Sequence, residues 1–117
     1  MDTARPLDPG FSTTDAELPE LQYDGEVLVA KFRDWRERWV TVRFLGVYAF
    51  RWQGIEILLE SEPYDGSCEI ENSKWLAEHI RQSIVDNEGR DHHHYRFNFN
   101  AVGSLDVICS SYSVEVN

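Results

Sequence analysis

The sequence predicts one α+β domain: a twisted antiparallel sheet of four to six strands with one main helix packed on it. Three observations lead there. Apolar and polar residues alternate with period two between Glu26 and Phe44 and again between Tyr95 and Val116. One segment, from residue 72 to about 88, instead carries apolar residues at spacings of three and four. The strands cluster before and after that helix rather than alternating with it, so the order is not that of a parallel, doubly wound sheet. The 117 residues are enough for one core, and 42% hydrophobic and 13% aromatic content can fill it.

The first 24 residues hold Pro6, Pro9 and Pro19 and few aliphatics, and Pro19 confines the capping pair Thr14 and Glu17 to a single turn. They are expected to form an N-terminal arm (1–24), lying on its own sheet or on a neighbouring subunit, ahead of the α+β domain (25–117). Within that domain Leu28, Ala30 and Phe32 alternate with Val27, Val29 and Lys31. Val40, Val42 and Phe44 likewise alternate with Trp39, Thr41 and Arg43. Two strands follow, joined by a hairpin connection at Asp34-Trp35-Arg36-Glu37. Gly46 precedes the run from Val47 to Trp52, and Gly54 parts it from Ile55, Ile57 and Leu59, which fits one bent strand or two short ones. Pro63, Asp65 and Gly66 mark a loop.

Asn72 or Ser73 can cap the helix, whose stripe is Trp75, Leu76, Ile80 and Ile84 and whose stop is Gly89. Tyr95, Phe97 and Phe99 then alternate with Arg96, Asn98 and Asn100, and residues 101 to 104 turn the chain into Leu105, Val107 and Cys109, a second hairpin. The apolar phase shifts afterwards to Tyr112, Val114 and Val116, as a bulge near Ser110 and Ser111 would produce.

Eleven Lys and Arg against 21 Asp and Glu give a net charge of −10, which disfavours nucleic acid and anionic membrane as partners. The charge is segmented. Residues 31 to 51 hold six bases and two acids, whereas residues 52 to 91 hold ten acids and three bases. Such pieces are expected to lie side by side and neutralise one another, or else to form a two-signed binding surface. No stretch approaches the ~18 apolar residues of a membrane span, and no basic region followed by an apolar run opens the chain. A cytoplasmic location is expected, with Cys68 and Cys109 reduced.

The densest polar constellation is Asp91-His92-His93-His94. On an extended chain His92 and His94 share a face and could hold a metal with a third ligand from Asp91, His79 or Glu88, but no spacing fixes that ligand. Nucleophilic hydrolysis would need Ser110, Ser111 or Cys109 beside an oriented base, and no nucleophile-elbow or phosphate-loop motif is present. The chain is therefore expected not to be an enzyme, with no catalytic residue, no cofactor and no metal. Of the four Trp, Trp39, Trp52 and Trp75 sit in strand or helix patterns, while Trp35 falls in the hairpin connection between Asp34 and Arg36, a composition favoured at protein interfaces.

The strand pair from Glu26 to Phe44, the run Gly46-Val47-Tyr48-Ala49-Phe50-Arg51-Trp52 and the ending from Tyr95 to Val116 resemble, in style and order, the small acidic bacterial immunity proteins of toxin-immunity systems. That resemblance implies a non-enzymatic protein that binds and blocks a cognate toxin, often a cationic nuclease. The expected function is thus an immunity-like protein-binding module, with a small metal-binding protein or hydrolase using His92 and His94 as the alternative and a homodimer as a further option. The partner-binding residues expected are Trp35 together with the acids Glu56, Glu60, Glu62, Asp65 and Glu69, which supply most of the negative field outside the arm.

Overall fold

A computed structural model describes residues 2–54, 62, 66–81, 92–100 and 102–117. The chain runs β1 (Thr3–Leu7), β2 (Glu20–Tyr23), β3 (Leu28–Arg33), β4 (Trp39–Leu45), β5 (Ala49–Gln53), β6 (Ser67–Glu71), α1 (Lys74–Arg81), β7 (His93–Phe99), β8 (Gly103–Cys109) and β9 (Ser111–Val116). All strand pairs are antiparallel. Among the described residues the expected antiparallel strands and one helix are present, but the strands form two sheets rather than one: sheet A in the order β1-β6-β7-β8-β5 and sheet B in the order β2-β3-β4-β9.

The inner faces of the two sheets share one core. Leu28, Ala30, Phe32, Val40, Val42 and Phe44 from sheet B meet Phe97, Phe99, Leu105, Val107 and Cys109 from sheet A. Aromatic rings bridge the sheets, with Phe32 edge-on to Phe99 at 5.0 Å and Phe44 against Phe97 at 5.5 Å, the offset geometry that aromatic quadrupoles favour.

The change of phase after Cys109 has a different cause from a bulge. Ser110 is where the chain leaves β8 in sheet A and enters β9 in sheet B. Gly46 makes the opposite crossing between β4 and β5, and the two crossings lie against each other, with the Ser110 N–H donating to the Leu45 carbonyl at 3.0 Å. Gly46 takes φ +63°, a conformation that favours glycine, and a Cβ there would force the Ser110 hydroxyl to turn away.

Of the two positions open to the first 24 residues, they take the one on the chain's own sheets. β1 adds to β6 as the edge of sheet A, β2 adds to β3 as the edge of sheet B, and between them Phe11 packs on the core while Ala16 is buried in it. The Thr13 hydroxyl donates to the Asn98 carbonyl at 2.6 Å. β6 is interior to sheet A, and Arg5 on β1 bonds both Glu69 and Glu71. Ser73 caps α1, accepting the Leu76 N–H at 3.1 Å. Ile55, Ile57, Leu59 and the second half of the expected helix, with Ile84, lie outside the described residues. Among the described residues no helix is long and apolar enough to cross a membrane.

Candidate functional sites on the two outer faces

Strand alternation sends the other half of each strand outward, and the two outer faces differ. On sheet A the register places Cys68, Arg96, Asp106 and Arg51 in one row across β6, β7, β8 and β5, and Asn98, Ser104 and Gln53 in the next. This polar layer is covered. His94, Asn98, Ser104 and Asp106 are all buried, as is Glu62.

Its hydrogen bonds close on themselves. Asp106 accepts from His94 Nε2 at 2.6 Å and Arg96 Nε at 2.8 Å on one oxygen, and from Gln53 Nε2 at 3.4 Å and Arg51 Nε at 3.5 Å on the other. Arg96 also donates to Glu62 at 2.8 Å, Asn98 donates to the other Glu62 oxygen at 2.8 Å, and Ser104 donates to Asn98 at 2.6 Å. Burial by itself would raise the Asp106 carboxyl, but the His94 hydrogen bond and the Arg96 charge hold it below the usual carboxylate range. Burial also opposes the charge on Arg96, and the carboxylates of Asp106 and Glu62 more than restore it.

α1 closes this layer. Trp75 sets its ring edge-on to His94 at 5.2 Å and receives the Arg51 guanidinium over its face at 4.2 Å. His94 Nδ1 lies 2.7 Å from Ser73 Oγ, so the helix cap, the imidazole and Asp106 form a continuous Ser-His-Asp chain. An open cavity of about 570 Å³ lies between α1 and the ends of β6 and β7, and Ser73 and His94 are among its lining residues.

The outer face of sheet B has no such cover. Trp39 carries Lys31 Nζ at 5.1 Å and Arg33 at 5.2 Å over its ring, and Trp35 carries Arg36 at 4.7 Å. Trp35 is 54% exposed and Trp39 41%. The connection between β3 and β4 is built to present Trp35. The buried Asp34 carboxylate accepts the Arg36 N–H at 3.0 Å, the Arg38 N–H at 2.9 Å and the Arg38 guanidinium at 3.0 and 2.9 Å, while Glu37 takes φ +62°. Burial works against ionised Asp34, but these bonds outweigh it and hold its carboxyl low.

The residues expected from sequence are thus dispersed. Trp35 is on the surface, as its position suggested. Glu62 is not: it faces inward on Arg96 and Asn98, because a buried guanidinium needs a second carboxylate. Glu69 is bound to Arg5 and to His93 Nδ1 at 2.6 Å, so its charge is already matched. Glu56, Glu60 and Asp65 lie outside the described residues.

His92 and His94 do not converge. His92 sits edge-on to Tyr48 at 4.5 Å, and both ring nitrogens of His94 are engaged by Ser73 and Asp106. Among the described residues no group of three or more His, Cys, Asp or Glu is placed to hold a metal ion. Of the nucleophile candidates, Ser110 Oγ donates to the Leu45 carbonyl and Cys109 is buried in the core. Burial pushes both the Cys68 and Cys109 thiols up to about 12.

Asp106 and Arg96 were not singled out by the sequence. The signal was present: opposite charges face each other across the Tyr95–Cys109 hairpin once its register is drawn. The chain matches no protein-family model, no curated protein and no solved structure.

Proposed function

We propose that this chain is a protein-binding module of the immunity type, which occludes a cognate protein through the outer face of sheet B. The observation that supports this reading is the rigid display of Trp35 by the Asp34-centred loop, beside a second exposed Trp and the cations Lys31, Arg33 and Arg36. Trp and Arg dominate interface hot spots because they bury large areas while losing little conformational freedom.

The net charge of −10 acts at longer range and steers a basic protein toward this chain, while contact itself is made by the aromatic and cationic cluster. Of the expected partner-binding residues, this reading places Trp35 at the contact.

The test is capture from lysate of the source cells by the wild type and by a Trp35→Ala, Trp39→Ala double variant. One stoichiometric basic protein retained by the wild type and lost by the variant is the expected result. Equal capture by both would move the interface elsewhere, and absence of any specific capture would overturn the reading. With the partner in hand, Trp35→Ala is expected to weaken affinity by about 2 kcal/mol, roughly 30-fold.

A further inference from the structure

The second polar face carries an arrangement that the binding reading does not use. Ser73 Oγ accepts the Leu76 N–H at 3.1 Å, which leaves its own proton free to point at His94 Nδ1, 2.7 Å away. Asp106 lies 2.6 Å from Nε2 on the other side of the ring and, when ionised, can only accept there. In the neutral imidazole the proton therefore sits on Nε2 and the Nδ1 lone pair faces the hydroxyl. Nucleophile, base and orienting carboxylate are thus in hydrogen-bond contact, and Arg96 fixes the carboxylate from a second direction. Triads are recognised by such geometry and roles rather than by sequence order.

A further feature concerns the oxyanion position. The backbone N–H of the residue after the nucleophile, at the start of α1, is a ready donor to a developing negative oxygen. In this chain that residue is Lys74, and its N–H is already occupied by a carboxylate oxygen of Asp2, 2.9 Å away, reached from the strand β1 that precedes it. An anionic oxygen thus rests next to Ser73. The cavity beside it is bordered by Ile70, Leu76, Ala77 and Ile80, an apolar wall suited to a short acyl chain.

We propose that Ser73, His94 and Asp106 form an acyl-transfer site for short-chain carboxylic esters, with the Asp2 carboxylate occupying the oxyanion position until substrate displaces it. In the first half-reaction Ser73 Oγ bonds to the ester carbonyl carbon as its proton passes to His94 Nδ1. The carbonyl oxygen takes the negative charge against the Lys74 N–H. The carbonyl re-forms as the ester C–O bond breaks, and the alcohol leaves with the proton from Nδ1. In the second half-reaction water gives a proton to Nδ1, its oxygen bonds to the acyl carbon, and Ser73 regains the proton as the carboxylic acid departs. Water is the only co-reactant. The site is on the outer face of sheet A, across the sandwich from Trp35, so it stands or falls independently of the binding reading.

The experiment exposes the full chain to a fluorophosphonate probe, locates the adduct by peptide mass spectrometry, and in parallel measures hydrolysis of p-nitrophenyl butyrate. The expected result is one adduct, on Ser73, absent from Ser73→Ala and reduced at least 100-fold in rate in His94→Gln. Circular dichroism and thermal melting show whether each variant is folded. Asp2→Ala leaves the three residues intact and empties the oxyanion position, so it is expected to raise the labelling rate at least threefold. That variant keeps the test decisive if His94→Gln does not fold. Absence of an adduct on Ser73 in both the wild type and Asp2→Ala, or hydrolysis that persists in folded Ser73→Ala, would overturn the proposal and leave the Ser-His-Asp chain as a structural tie between α1 and sheet A.

Discussion

The two sheets contribute equally to one apolar core, but their outer faces are handled in opposite ways. On sheet A the outward residues His94, Arg96, Asn98, Ser104 and Asp106 lie under α1 and Glu62, and the charged and polar groups are matched from within the fold. On sheet B the outward residues Lys31, Trp39 and Arg43 face solvent beside the half-buried Arg33, and the bridge from Arg43 to Glu115 is a loose 3.6 Å between two exposed side chains. The same alternation of residues therefore yields a polar layer that stabilises the fold and a surface that is open to a partner. Cover decides which, because a charge removed from water must be paired, whereas an exposed pair contributes little.

The sharpest way to break this comparison is to remove the central carboxylate. Asp106→Ala leaves the buried Arg96 and His94 without their shared acceptor, and the half-exposed Arg51 without its partner, and is expected to cost about 3–5 kcal/mol in urea denaturation. The matching change on sheet B, Glu115→Ala, is expected to stay within about 0.5 kcal/mol. A loss below about 1 kcal/mol for Asp106→Ala would mean that the layer is solvated and that the two faces do not differ.

Acid should act through the same groups. Asp106 and Asp34 both have folded carboxyls held below the usual range, so unfolding takes up protons. Their contribution is fully present above the unfolded carboxylate value, about pH 4, and is lost as pH falls through the lower folded values. Urea midpoints measured from pH 7 to pH 2 should fall most steeply below about pH 4. In Asp106→Asn, a lower but flatter profile is expected over that window; an unchanged slope would assign the acid sensitivity to other carboxylates.

How far the sequence reveals this arrangement differs between the two faces. The hairpins β3–β4 and β7–β8 follow directly from period-two alternation, and the Ser73 cap follows from side-chain chemistry. Trp35 was visible because a Trp in a turn between Asp and Arg has few inward directions. The division into two sheets was not visible, since alternation fixes which residues face together but not which sheet a strand joins. For the same reason alternation puts Arg96 and Asp106 on the face away from the core but does not show that Glu62 and Trp75 of α1 close over that face. Composition alone left the place of residues 1–24 open, and Pro6 is tolerated in β1 because it is an edge strand.

The thiols sharpen the comparison from the sheet A side. Cys68 lies in the row of Arg96 and Asp106, and Cys109 faces the apolar core. Burial raises both to about 12, with Glu62 adding to the effect on Cys68. Neither is expected to react with a thiol reagent at neutral pH until the chain is unfolded, when two equivalents should appear. Rapid native-state reaction of Cys68 would show that the polar layer opens, and of Cys109 that the apolar core does, with peptide mapping to tell the two apart.

The smallest expected effect on stability belongs to Trp35, and its smallness is the point. Asp34, not Trp35, holds the loop between β3 and β4: its carboxylate accepts two backbone N–H groups and the Arg38 guanidinium. Asp34→Ala is therefore expected to cost about 2 kcal/mol through lost charge-assisted bonds. Trp35→Ala removes only a half-exposed ring and its contact with Arg36, so a change within about 0.5 kcal/mol is expected in the same denaturation assay. Trp39 rests on its own sheet beside Lys31 and Arg33 and should fall between the two. A cost above about 1 kcal/mol for Trp35→Ala would show that the ring is part of the fold, and the outer face of sheet B would then lose the residue on which its role as a docking surface depends.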